Sequence, residues 1–106
     1  MIEDAIREAR DVFVSAISII EVVYLMERKR IPAAALQRLR NALTDPHAGL
    51  YIAPVDSLVA DALEKVPRNI VPDMPDRIIA ATALHLGAVL ITRDRRLQAA
   101  GIQTIW

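Results

Sequence analysis

The stretch from 72 to 94 constrains the fold of this chain more than any other part of its sequence. It predicts a helix over 75–86, ended by a glycine, and then a short buried strand over 88–92. Asp76 falls in the first turn of this helix, and Asp94 follows the strand. Because the carboxyl ends of strands face the ligand crevice in an open α/β sheet, the stretch predicts two acids beside such a crevice.

Helix and strand patterns alternate along the whole chain, with no linker, repeat or low-complexity segment. This alternation is typical of a parallel sheet with helices on both faces, so we expect an α/β fold with four strands in one domain over 1–106. In the helix over 56–65 we expect Leu58, Ala62 and Leu63 to face the core. The other predicted helices cover 2–10, 18–30, a segment from Pro32, and 95–100, and the other predicted strands cover 12–17, 50–53 and 102–106.

The composition excludes several classes of function. The 106 residues include no cysteine, which rules out disulfides, zinc–thiolate sites and cysteine nucleophiles. The 13 basic and 13 acidic residues give no net charge, so any contact with nucleic acid has to come from a local patch. Aromatic residues make up 4% of the chain, so the core is aliphatic and there is no obvious base-stacking platform.

The N-terminus and the longest apolar run argue against export and membrane insertion. Residues 1–4 include Glu3 and Asp4, which makes them too acidic for the start of a signal peptide. The run 12–26 contains Glu21 and two serines and is too short to span a bilayer. We therefore expect a cytoplasmic protein that does not enter the membrane.

Glu21 lies in the apolar segment 19–23, where an isolated carboxylate is costly to bury. Ser18 and Glu21 have the S-x-x-E spacing of a capping box, and this pattern alone favours capping over metal binding by about two to one. The two roles are compatible, because a residue in the first turn of this helix also points toward the carboxyl edge of the sheet.

Asp76 and Asp94 each have an ordinary structural alternative. Asp76 follows Pro75, which fits a favourable interaction with the helix dipole, and Asp73 is a candidate N-cap. Asp94 fits a turn acid or the N-cap of the short helix that follows it. Each acid alone is weak evidence, but acids at the ends of three elements together suggest a divalent-metal site.

Several arginines flank these acids in the sequence. One interpretation is a solvated surface with weak ion pairs. The other is a rim of cations that binds phosphates around a metal site. The arginines concerned are Arg77, Arg93, Arg95 and Arg96.

Three segments resemble successive motifs of PIN domains, in the order in which that family has them. They are Ser15–Glu21, Pro75–Ala83 and Leu90–Asp94, and the resemblance extends over essentially the whole chain. Within the family, the motifs look like those of VapC-type toxins from bacterial toxin–antitoxin pairs. The resemblance implies a three-layer α/β/α sandwich with a parallel sheet and a ribonuclease that depends on Mg²⁺ or Mn²⁺.

The resemblance also implies roles for individual residues. Glu21, Asp76 and Asp94 match the acids of the metal cluster, where a bound metal would assist phosphodiester hydrolysis. The implied partners are an RNA substrate, an antitoxin protein and a second copy of the chain. The predicted substrate contacts are Thr92, which matches a position close to the site, and Arg77, Arg93 and Arg95.

One feature of the family has no match in this sequence. The family opens with an apolar strand that ends in an aspartate, and neither Asp4 nor Asp11 follows such a strand. We therefore expect a PIN-like chain that is truncated at its N-terminus, lacks one metal ligand and cleaves RNA feebly or not at all. A sheet without its central strand exposes unpaired backbone, which favours a dimer or a higher oligomer.

Two other interpretations of the same sequence stay open. The first is a non-catalytic, truncated PIN-like module that retains antitoxin binding or dimerisation, and the missing aspartate is the feature that favours it. The second is a flavodoxin-like α/β domain with no active site.

Overall fold

The computed structural model describes residues 12–91 and 95–105, which form two compact units. We call residues 12–54 the N-terminal unit, and residues 55–91 with 95–105 the C-terminal unit. The N-terminal unit contains β1 (Val12–Ser15), α1 (Ala16–Glu27), α2 (Ala33–Thr44) and β2 (Leu50–Ala53). The C-terminal unit contains α3 (Ser57–Leu63), α4 (Met74–Leu86), β3 (Leu90–Ile91), α5 (Arg95–Ala99) and β4 (Thr104–Ile105).

The N-terminal unit is a parallel strand pair joined by two helices. Val12 of β1 lies opposite Leu50 of β2, and Ser15 lies opposite Ala53. Both Ser15 and Ala53 are buried, so the strands are covered at their carboxyl ends. Parallel strands require a crossover connection, which α1 and α2 provide here.

The N-cap of α1 lies three residues earlier than the capping-box pattern predicts. The hydroxyl oxygen of Ser15 accepts a hydrogen bond from the Ile17 backbone N–H at 3.4 Å, and Ser15 has extended backbone. Ser18 and Glu21 both lie inside the helix, so the prediction that they form a capping box is wrong. Serine is a favourable N-cap at either position, and Ala16 is a good helix former, so the helix begins at Ala16 with Ser15 as its N-cap.

The core of the C-terminal unit lies between α3 and α4. Val59, Val66, Val71, Ala80 and Ala81 each have at most 1% of their surface exposed. Alanines on α4 add little bulk at this contact. The core is completed by Ala62, Leu97 and Ile102.

One predicted core position in α3 is wrong. Leu58 is 55% exposed, whereas its neighbour Val59 is buried. The carboxylate of Asp56 accepts hydrogen bonds from the backbone N–H groups of Leu58 and Val59, each at 3.1 Å, and so fixes where the helix begins. That starting point turns Val59 and Ala62 to the core and leaves Leu58 outside.

Both described strand pairs, β1–β2 and β3–β4, are parallel, and helices separate the strands along the chain. This pattern confirms the predicted α/β class and is compatible with a PIN-like fold. The helix predicted over 2–10 lies outside the described residues. No helix in the described part of the chain is both long and apolar enough to cross a bilayer.

Candidate active site

The start of α4 places Asp76 where the sequence pattern predicts it. Asp73 is the N-cap residue, with extended backbone, and Pro75 lies in the first turn, where its fixed φ suits a helix and its missing N–H costs nothing. Asp76 is the acidic residue of that turn, next to the positive end of the helix dipole. The helix ends at Gly87, whose left-handed backbone (φ 62°) suits glycine.

Asp76 is charge-paired but still accessible to solvent. Its Oδ2 atom accepts a hydrogen bond from Nη2 of Arg96 at 3.2 Å, and 34% of its side chain is exposed. The same guanidinium reaches the N-cap residue, with Nη1 of Arg96 4.0 Å from Oδ2 of Asp73. One cation therefore lies beside two carboxylates at the beginning of α4.

Arg77, which follows Asp76 in the sequence, donates hydrogen bonds to backbone carbonyls. Its Nη2 donates to the backbone carbonyls of Leu63 and Val66, each at 3.1 Å, and its Nε donates to the Val66 carbonyl at 3.2 Å. These carbonyls lie at and just after the end of α3, so Arg77 ties that segment to the first turn of α4. The contacts give Arg77 a structural role that the sequence analysis did not identify, and its predicted contact with RNA stays a prediction.

Glu21 is half-buried in the second turn of α1, in the N-terminal unit. Thr92, Arg93 and Asp94 lie outside the described residues. Arg95 is the first residue of α5. The convergence of the three acids therefore stays a prediction. Within 12–91 and 95–105, no group of three His, Asp or Glu side chains is placed to hold a metal ion.

Asp76 nevertheless suits a hard divalent cation. Carboxylate oxygens are the ligands that Mg²⁺ and Mn²⁺ prefer, and Mg²⁺ is commonly held by one or two protein carboxylates while it keeps several waters. The exposed third of the Asp76 side chain gives a hydrated cation access to this ligand. The chemistry of the donor therefore fits the predicted metal.

The chain is similar to known proteins over most of its length. A family model described as PIN domain matches residues 2–103. The chain is also 38% identical over 96 residues to "Ribonuclease VapC22" from Mycobacterium tuberculosis (strain ATCC 25618 / H37Rv), an alignment that covers 89% of this chain and 71% of that protein. No solved structure gives a significant match.

Proposed function

Because this chain belongs to the PIN-domain family, we propose that it is a VapC-type ribonuclease, the toxin of a toxin–antitoxin pair. The observation that carries the proposal is the placement of Asp76. Its carboxylate lies in the first turn of α4, accessible to solvent and beside a cation, within the segment that resembles the second family motif. The similarity to a ribonuclease over 89% of the chain supports the same activity.

The proposed reaction is hydrolysis of an RNA phosphodiester bond. Glu21, Asp76 and Asp94 are the proposed ligands of Mg²⁺ or Mn²⁺. When bound, such an ion supplies Lewis-acid polarisation of the phosphate and positive charge near the leaving oxygen. Arg93 and Arg95 are proposed to bind the RNA phosphates, since guanidinium groups pair well with phosphate oxygens.

Removing the metal tests this proposal. We expect cleavage of a labelled RNA in the presence of Mg²⁺ or Mn²⁺, at a low rate, and loss of that cleavage when EDTA is added. Excess Mg²⁺ should then restore it, because the carboxylates remain intact. Equal cleavage with and without EDTA would contradict a metal-dependent mechanism.

A binding module without catalysis is the second candidate, and one exposed aromatic pair favours it. Phe13 and Tyr51 lie opposite each other on β1 and β2, with ring centroids 5.8 Å apart, and each is 48% exposed. Paired aromatic side chains that remain in solvent are typical of interaction surfaces. We propose that this aromatic surface binds a second copy of the chain. The antitoxin is proposed as a further partner, which the protein binds in the cytoplasm.

Light scattering tests the proposed dimer. We expect a mass of twice that of the chain, and we expect the double substitution Phe13→Ser and Tyr51→Ser to raise the dimer dissociation constant at least about tenfold, since buried aromatic anchors carry much of the energy of an interface. Leu58→Ser, at a similarly exposed apolar position of α3, serves as the control. A monomer at all concentrations would contradict the proposal.

A further inference from the structure

Arg96 contacts the two acids that begin α4. It follows the first residue of α5 and is distant in sequence from both carboxylates. Its guanidinium donates to Asp76 at 3.2 Å and lies 4.0 Å from Asp73. All three side chains are substantially exposed, with 44% of Arg96, 34% of Asp76 and 68% of Asp73 accessible.

The carboxylate of Asp73 faces Arg96 and does not cap α4. Aspartate is among the best N-cap residues, because its carboxylate accepts from the free N–H groups of the first turn. Asp73 occupies the N-cap position of α4, yet its side chain makes no capping hydrogen bond. It lies instead near Arg96. The acids at 73 and 76 are three residues apart, on neighbouring positions of the helix surface, where one cation offsets the repulsion between them.

The exposure of the pair decides how firmly Arg96 is held. An exposed ion pair shifts an equilibrium by at most about fivefold, because water and salt screen it and two side chains lose freedom. A divalent cation carries twice the charge of a guanidinium. Breaking an ion pair this weak costs little free energy. A metal ion that binds one of the carboxylates therefore displaces Arg96 from it at little cost.

We propose that Arg96 is the resident counter-ion of Asp76 and Asp73 in the metal-free protein, and that a metal ion has to replace it at Asp76. The inference rests on the proposed function, because it takes Asp76 as a metal ligand. It makes Arg96 a positioning residue, which sets the concentration of metal at which the site fills. Arg96 then lowers metal affinity, in contrast to the acids, which raise it.

Titration of Mn²⁺ into the full chain tests this inference, with binding measured by calorimetry and by the electron paramagnetic resonance signal of free Mn²⁺. We expect Arg96→Gln to bind Mn²⁺ about fivefold more tightly than the unchanged protein, because the competing cation is gone. Arg68→Gln is the matched control, since it removes the same charge from an exposed arginine of the segment between α3 and α4. We expect it to change the affinity less than twofold.

A second measurement needs no variant. The side-chain Nε–H signal of Arg96 in a ¹⁵N NMR spectrum should shift as Mg²⁺ is added to the unchanged protein, and the Arg68 signal should not. Unchanged or weaker Mn²⁺ binding by Arg96→Gln, or an Arg96 signal that ignores Mg²⁺, would overturn the inference. If Asp76→Asn also leaves Mn²⁺ binding unchanged, the proposed function fails together with it. If Asp76→Asn abolishes binding, only the role of Arg96 fails.

Discussion

Asparagine in place of Asp76 should weaken Mn²⁺ binding at least about tenfold and lower metal-dependent RNA cleavage about a hundredfold. The amide keeps the size of the side chain but removes the negative charge, so one anionic ligand is lost while the helix start is preserved. The same substitution also removes the ion pair with Arg96, which is exposed and contributes little to stability. Metal titration and cleavage of a labelled RNA measure the two effects separately, and the titration remains informative even where cleavage is slow.

Asp73→Asn is the matched control for this experiment. It removes the same charge three residues earlier, from a carboxylate that also faces Arg96 but is not a proposed ligand. We expect it to change cleavage less than about threefold, since its effect on the site is only through an exposed charge pair. Equal losses in both variants would mean that the total negative charge near α4 matters, and that Asp76 has no specific role as a ligand.

The sequence predicted the family and most of the helices and strands. The PIN-domain match and the parallel strand pairs confirm the family and the α/β class. β2 has the predicted bounds, and α4 begins within one residue of its predicted start. These elements were predictable because their limits are set by local chemistry, namely proline in the first turn and glycine at the end of α4.

The two errors in the predicted fold, at the start of α1 and in the core face of α3, arose where two nearby residues suit the same role. Ser15 and Ser18 are both acceptable N-caps, and the hydrophobic pattern around them does not distinguish a longer strand from an earlier helix. Leu58 and Val59 are both apolar, and the hydrogen bonds of Asp56 decide which of them faces the core. Such choices depend on backbone geometry that an apolar pattern does not encode.

The candidate site also has features that the sequence predicted and features that it did not. The position of Asp76 in a first helical turn followed from Pro75 and from the apolar period of the helix. The pairing of Asp76 with Arg96 could not be predicted, because it depends on the tertiary packing that brings α5 close to α4. The sequence offers several nearby arginines and does not indicate which of them makes the contact. The bonds of Arg77 to backbone carbonyls were not predicted either, and its predicted phosphate contact stays a prediction.

Replacing Arg77 with alanine should lower the free energy of unfolding by about 2 kcal/mol. The side chain makes three hydrogen bonds from a charged donor, and the Val66 carbonyl accepts two of them. Val66 itself has no exposed surface, so its carbonyl loses both of these donors in a sheltered position. Chemical denaturation followed by circular dichroism measures the loss in the absence of RNA.

Arg68→Ala is the control for this loss, because it removes an exposed arginine from the same connection, where a surface substitution changes stability by no more than about 0.5 kcal/mol.

A structural role for Arg77 also predicts how cleavage responds. Because Arg77 ties the α3 end to the turn that holds Asp76, its loss should raise the metal concentration needed for cleavage as well as lower stability. If Arg77→Ala is as stable as the unchanged protein and only its KM for RNA rises, then Arg77 contacts substrate and its bonds to Leu63 and Val66 contribute nothing measurable.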